Sequence, residues 1–189
     1  GMGVVFRATD KDLDRVVALK VLGSNLLGNK SVEQRFFAEA RILARLRHAG
    51  IIEIYDISKT GIPFFAMEFL RGDTLAELAR LRKLKLRQAL RHMQDVLSVL
   101  EYCHREGVIH RDIKPENIFI TEKNETKVVD FGLARQQEQP GLTRPGMAMG
   151  SPYYMSPEQI LGTPIDLRTD IYAVGVCLFF LCTGRMPYK

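Results

Sequence analysis

A chain of 189 residues with 46% hydrophobic and 26% charged side chains has the content of an ordinary globular protein, enough for one core or a pair of small lobes. Its net charge of +5 is too modest to mark a nucleic acid as its partner. The longest apolar run, Ile171 to Cys182, is well short of the roughly 20 residues a membrane-spanning helix needs, so no membrane segment is expected in it. Cys103, Cys177 and Cys182 lack metal-type spacing and sit in apolar helical patterns. They read as reduced core residues in a cytoplasmic setting, with no leader peptide in view. An anchor elsewhere in a longer parent protein is compatible with this.

In chain order, Gly1 to Ala8 reads as a glycine turn entering a strand, Asp10 to Asp14 as a charged turn, and Val16 to Leu22 as a second strand. Ser31-x-x-Gln34 is a helix-start signal, and Phe36, Phe37, Ala40, Leu43, Ala44 and Leu46 follow at helical spacing. Glu39 lies inside that helix beside the apolar positions. Ile51 to Ile57 and Ile62 to Met67 read as strands joined by a Lys59-Thr60-Gly61 turn. A small antiparallel sheet with one helix packed on it is therefore expected over residues 1–67. Arg71-Gly72 then breaks the pattern, making 68–71 the boundary before a second unit over 72–189.

In that second unit Thr74-x-x-Glu77 caps a short helix. Arg80 to Arg87 is a basic run read as a solvated helix junction. Leu90, Met93, Leu97, Leu100 and Cys103 then recur at helical spacing up to a stop at Gly107. Two β-prone runs, Asn117 to Ile120 and Lys127 to Val129, joined by a polar turn, form a hairpin with charged and amide side chains at one end. Asp112, Lys114 and Asn117 precede the first run closely, and Asp130 follows the second. Oxygen ligands from Asn117 and Asp130 suit Mg²⁺, a hard ion usually held by one or two carboxylates plus substrate phosphates. Leu133 to Met149 reads as a long loop, and Ile171 to Cys182 as a buried helix headed by Asp170.

His110-Arg111-Asp112-Ile113-Lys114-Pro115-Glu116-Asn117 resembles the catalytic loop of eukaryotic-type (Hanks-type) serine/threonine protein kinases, and Asp130-Phe131-Gly132 resembles their metal-binding tripeptide. Val17-Ala18-Leu19-Lys20 resembles the strand carrying the nucleotide-phosphate lysine. Gly150 to Glu158 resembles the substrate-docking loop, with Ser156 where the family has alanine. The resemblance implies an α+β, two-lobed fold: a small antiparallel β-sheet lobe with one helix, and a mainly helical C-terminal lobe whose late helices are absent. It implies ATP and Mg²⁺, with Mn²⁺ as a substitute, and protein substrates with Ser or Thr acceptors. Asp112 would be the base, Lys114 would meet the γ-phosphate, Lys20 paired with Glu39 would hold the α- and β-phosphates, and Asn117 and Asp130 would hold the metal. Gly3, Val5, Ala18, Met67, Glu68, Leu70 and Phe119 fall where the family contacts its nucleotide. Gly3 and Val5 match the end of the glycine-rich loop, whose first two glycines are missing. Arg35, Arg111 and Arg135 would receive a phosphate on Thr143, the best acceptor for autophosphorylation.

The wording of residues 1–10 and 157–175 looks bacterial. A non-catalytic, kinase-like binding module is the reading from a different class, and the missing glycines and helices are its motivation. A small-molecule kinase of the antibiotic-phosphotransferase type is disfavoured by the full Ser151 to Glu158 loop.

Overall fold

The computed structural model of the protein describes residues 3–131 and 152–188. Expectations for the glycine of the metal tripeptide, Arg135, Thr143 and Ser151 lie outside the described residues. The first unit is a four-stranded antiparallel sheet in the order β1-β2-β4-β3, built from β1 (Gly3–Asp10), β2 (Arg15–Leu22), β3 (Ile54–Ser58) and β4 (Phe64–Glu68). Helix α1 (Lys30–Arg45) packs on it through Val32, Phe36, Phe37 and Ala40, its Leu43 joins the large core, and the Phe36 ring lies 5.0 Å from that of Phe65 on β4. Its cap differs from the expectation. Asn29, not Ser31, accepts from the Val32 amide, because the side chain one residue outside the helix is the one that reaches the free amides of the first turn.

Gly3 is a strand residue paired with Leu22, not a turn. A Cβ there would stand 2.3 Å from the Val21 carbonyl oxygen, so close strand approach explains the glycine. The strand expected from Ile51 starts only at Ile54. Ile51 and Ile52 are instead buried, and Ile51 makes an isolated parallel bridge to Val128.

The second unit starts with the short strand β5 (Gly72–Thr74), which joins β6 (Ile118–Thr121) and β7 (Thr126–Val128) in a three-stranded antiparallel sheet. Helix α2 (Leu75–Arg80) carries the expected capping box between Thr74 and Glu77. Helix α3 (Leu86–Arg105) runs to Gly107, which takes φ +73°, a conformation that ends helices readily. Helices α4 (Pro157–Leu161) and α5 (Arg168–Thr183) complete the unit.

Three expectations about burial fail here. Leu90 and Leu97 are 41% and 38% exposed; the buried stripe of α3 is Ala89, His92, Met93, Val96, Val99, Leu100 and Cys103. One residue is about 100° around a helix, so the leucines sit just off the core-facing side. Cys182 is exposed, and α5 is not buried all round. It presents Ala173, Val174, Val176 and Cys177 inward, while Ile171 and Phe179 face outward.

The two units share a core. Ile54 and Met67 pack against both the small cluster around Phe36 and Phe65 and the large one around Met93, Leu100, Ile118 and Phe131. The cleft between the units is therefore backed by continuous apolar packing. Among the described residues no helix is long and apolar enough to cross a membrane.

Candidate active site

Strand β2 is central, and register places Lys20 opposite Val5 on β1 and Phe65 on β4. Lys20 is only 8% exposed, and its ammonium donates to Glu39 Oε1 at 2.8 Å and to Asp130 Oδ1 at 2.7 Å. Burial alone would lower the lysine pKa, but the two carboxylates outweigh it and hold Lys20 above its ordinary value. Burial pushes the Glu39 carboxyl up, with Lys20 opposing. What burial Asp130 has would raise it too, yet the Lys20 charge and hydrogen bond hold it below the usual carboxylate range.

A second cluster forms around the loop after α3. Lys114 Nζ donates to Asp112 Oδ2 at 2.9 Å, and Asn117 Nδ2 donates to the Asp112 carbonyl at 2.8 Å and to its Oδ2 at 3.0 Å. The loop backbone is anchored from α5. Asp170 accepts from the amides of His110 at 2.9 Å and Arg111 at 2.8 Å, and contacts His104 Nε2 at 2.7 Å. Gln159 adds a hydrogen bond of 2.8 Å to the Arg111 carbonyl. These anchors hold Arg111 at φ +68°, a left-handed conformation that non-glycine residues adopt only when their surroundings fix it.

His110 is fully buried against Phe131, ring centroids 4.4 Å apart. Its Nδ1 accepts from the Asp112 amide and its Nε2 donates to the Val129 carbonyl, both at 3.2 Å. That is the neutral imidazole, in agreement with burial pulling its pKa down. Sequence reasoning marked Asp170 but missed His104 and Gln159. Neither belongs to a local motif, since their partners lie 66 and 48 positions away.

The hairpin joins the two clusters. The Val129 amide donates to the Asn117 carbonyl at 2.9 Å, so the residue before Asp130 is tied to Asn117. The charge of Lys114 adds to that of Lys20 in depressing the Asp130 pKa, so the second cluster lies within electrostatic reach of the first. The donor set fits a magnesium ion. Asn117 uses its amide nitrogen on Asp112, which leaves its side-chain oxygen available to a cation. Asp130 keeps a side chain 58% exposed. Among the described residues no three His, Cys, Asp or Glu gather into a metal cage.

The remaining candidates are spread over the sheet, the strand ends and the second unit. Ala18 pairs with Met67, and both lie in the sheet that carries Lys20. Glu68 ends β4 and takes an ion pair of 2.8 Å from Lys127. Leu70 packs on the large core, and Phe119 sits on β6 between Thr74 and Lys127. Gly3, Leu70 and Phe119 share no hydrogen bond with either cluster among the described residues. A separate cavity of about 620 Å³, lined by residues that include Arg80, Leu84, Glu116, Tyr154 and Phe180, contains none of the candidates and is not the cleft between the units. Glu158 accepts from the Thr169 hydroxyl at 2.6 Å.

A sheet-and-helix unit set over a mainly helical one, with a buried Lys-Glu pair facing an Asp-Lys-Asn loop, defines a protein-kinase-like site. The chain matches the family model for the Protein kinase domain over residues 1–189, and it belongs to that family. It is 44% identical over 200 residues to the serine/threonine-protein kinase pkn3 of Myxococcus xanthus, covering all of this chain and 37% of that relative. It is 40% identical over 190 residues to the serine/threonine-protein kinase PknL of Mycobacterium tuberculosis, covering all of this chain and 48% of the relative. A probable serine/threonine-protein kinase of Clostridium acetobutylicum is 37% identical over 190 residues, with 29% of its length covered. The chain thus spans less than half the length of these curated relatives. All three are bacterial, as the wording of its two end segments led us to expect.

Proposed function

We propose that the chain transfers the γ-phosphoryl group of ATP to serine and threonine hydroxyls of proteins. In this reading residues 1–67 form the small lobe, 68–71 the hinge and 72–189 the large lobe. The observation that carries it is the joining of the Lys20-Glu39-Asp130 cluster to the Asp112-Lys114-Asn117 cluster through the hairpin. Phosphoryl transfer proceeds largely by positioning and charge stabilisation, and these residues supply both.

Lys20, kept charged by its two carboxylates, holds the α- and β-phosphates. Val5, Ala18, Met67, Leu70 and Phe119 line the place of the base and sugar, and the backbone at Glu68 and Leu70 presents its polar groups to adenine. Asn117 and Asp130 would hold Mg²⁺, or Mn²⁺ in its place, which neutralises phosphate charge when bound. Asp112 orients the acceptor hydroxyl and accepts its proton, while Lys114 lies against the same carboxylate and faces the transferred group. A lysine two places after the base and Ser151 in the docking loop favour Ser and Thr over Tyr. Phosphate on Thr143 would be received by Arg35, Arg111 and Arg135. A cytoplasmic setting accords with the three free cysteines.

Mg²⁺-dependent transfer of phosphate from ATP to a generic Ser/Thr-containing protein tests this reading. Transfer is expected from the parent protein and not from Asp112→Asn. Equal transfer by both, or phosphate appearing on tyrosine alone, contradicts it.

A further inference from the structure

A third polar cluster lies away from the site and takes no part in the phosphoryl chemistry. His92, on the buried face of α3 and 1% exposed, places Nδ1 2.9 Å from the Thr126 hydroxyl. That hydroxyl donates to Asp95 Oδ2 at 2.6 Å. A threonine hydroxyl has one hydrogen, and here Asp95 receives it. His92 must therefore donate to Thr126, and the chain of bonds runs from imidazole to hydroxyl to carboxylate.

Polar groups buried between a helix and a sheet strand stabilise less than a well-packed apolar pair unless every bond is made, but they define direction in a way that apolar contacts do not. Direction matters at Thr126 because this residue opens β7, the strand that leads to Asp130. Strand β7 in turn pairs with β6, which begins directly after Asn117. Farther along, the Val128 amide donates to the Gly50 carbonyl at 2.8 Å and that of Val129 to Asn117 at 2.9 Å. The hairpin is thus fastened near Asp130 by backbone bonds and at its other end by Thr126.

We infer that His92, Thr126 and Asp95 are positioning residues that set the angle of the β6-β7 hairpin on α3, and through it the side chains of Asn117 and Asp130. The same helix holds the catalytic loop at its far end, where His104 meets Asp170. His92 and His104 are twelve positions apart on the helix, a rise of about 18 Å. One rigid element therefore gauges the metal-binding hairpin against the loop that carries Asp112. The inference rests on the reading of Asn117 and Asp130 as metal ligands.

The test is Mn²⁺ binding, followed by electron paramagnetic resonance in the presence of a non-hydrolysable ATP analogue, with amide hydrogen exchange at Val128 and Val129 measured alongside. Thr126→Val, acting through the hairpin, should weaken Mn²⁺ binding about tenfold, the lower end of the cost of losing a partner bonded directly to a metal ligand, and should speed exchange at both amides. Thr126→Ser should restore both. Asp95→Ala should act in the same direction, and because that side chain is 48% exposed the variant keeps the core intact. If Thr126→Val and Asp95→Ala lower the melting temperature but bind Mn²⁺ as the parent does, the cluster is merely structural and the inference is overturned. A parent that binds no Mn²⁺ with nucleotide overturns the metal reading itself, so the parent alone tells the two failures apart.

Discussion

Asp112, Lys114 and Asn117 reach one another along a single short loop, separated by at most five positions, whereas Lys20 reaches Glu39 across 19 positions and Asp130 across 110. The first cluster is local chemistry held by remote anchors. The second exists only when sheet, helix and hairpin are all in place. Closing so long a loop costs chain entropy that the packing of both cores must offset, so the Lys20 cluster reports on how the two units sit together. The loop cluster reports on how well its backbone is braced.

The largest expected effect separates chemistry from architecture. Asp112→Asn keeps the shape of the side chain and removes the proton acceptor, so transfer should fall by about 10³-fold, within the range for loss of a general base. The circular dichroism melt should barely move. A variant that loses its fold along with its activity would show that the loop cluster is structural.

Asp170→Ala attacks the brace instead. Its carboxylate is buried and receives two backbone amides while meeting His104, and removing it strands those donors. A loss of about 3 kcal/mol in urea unfolding is expected, with activity falling as Arg111 leaves its left-handed conformation. Glu39→Gln should do less, because Lys20 keeps Asp130 and the amide can still accept a hydrogen bond. Nucleotide affinity should drop about tenfold, near 1.4 kcal/mol, with little change in stability. A larger effect on stability than that of Asp170→Ala would reverse the assignment of which cluster is braced and which is assembled.

The same contrast explains what could be read from the letters alone. Thr74-x-x-Glu77 was legible because a capping box needs only neighbours, and the loop from His110 to Asn117 was legible because its chemistry is packed into one stretch. The pairing of Lys20 with Glu39 had no local signal and came only through resemblance to a family. His92 was invisible: a single histidine in a helix has no spacing to betray it, and Thr126 lies 34 positions away. The α3 core was misread in part, at Leu90 and Leu97, for a different reason. Met93, Leu100 and Cys103 are buried as their spacing indicates, but Leu90 and Leu97 are not, and Ala89, His92, Val96 and Val99 take the rest of the buried face. Periodicity detects a face without saying which of two adjacent lines will meet the core.

Acid should sharpen the comparison by the smallest margin. His92 and His110 are both buried, and burial lowers the pKa of each despite nearby carboxylates, Asp95 for the first and Asp170 and Asp112 for the second. In the unfolded chain both would take a proton near the ordinary histidine value of about 6.5. The folded protein holds them neutral until the pH is lower, so the unfolded state binds more protons throughout that window. Stability therefore rises with pH there and is fully present above about 6.5. It is lost as the pH falls toward the folded values, by up to about 1.4 kcal/mol per pH unit for each histidine. Urea midpoints measured downward from pH 7 should decline accordingly. His92→Leu should roughly halve the slope while His110 still titrates. A slope unchanged by that substitution would mean that His92 is protonated in the folded protein, and that the acid response belongs to the loop alone.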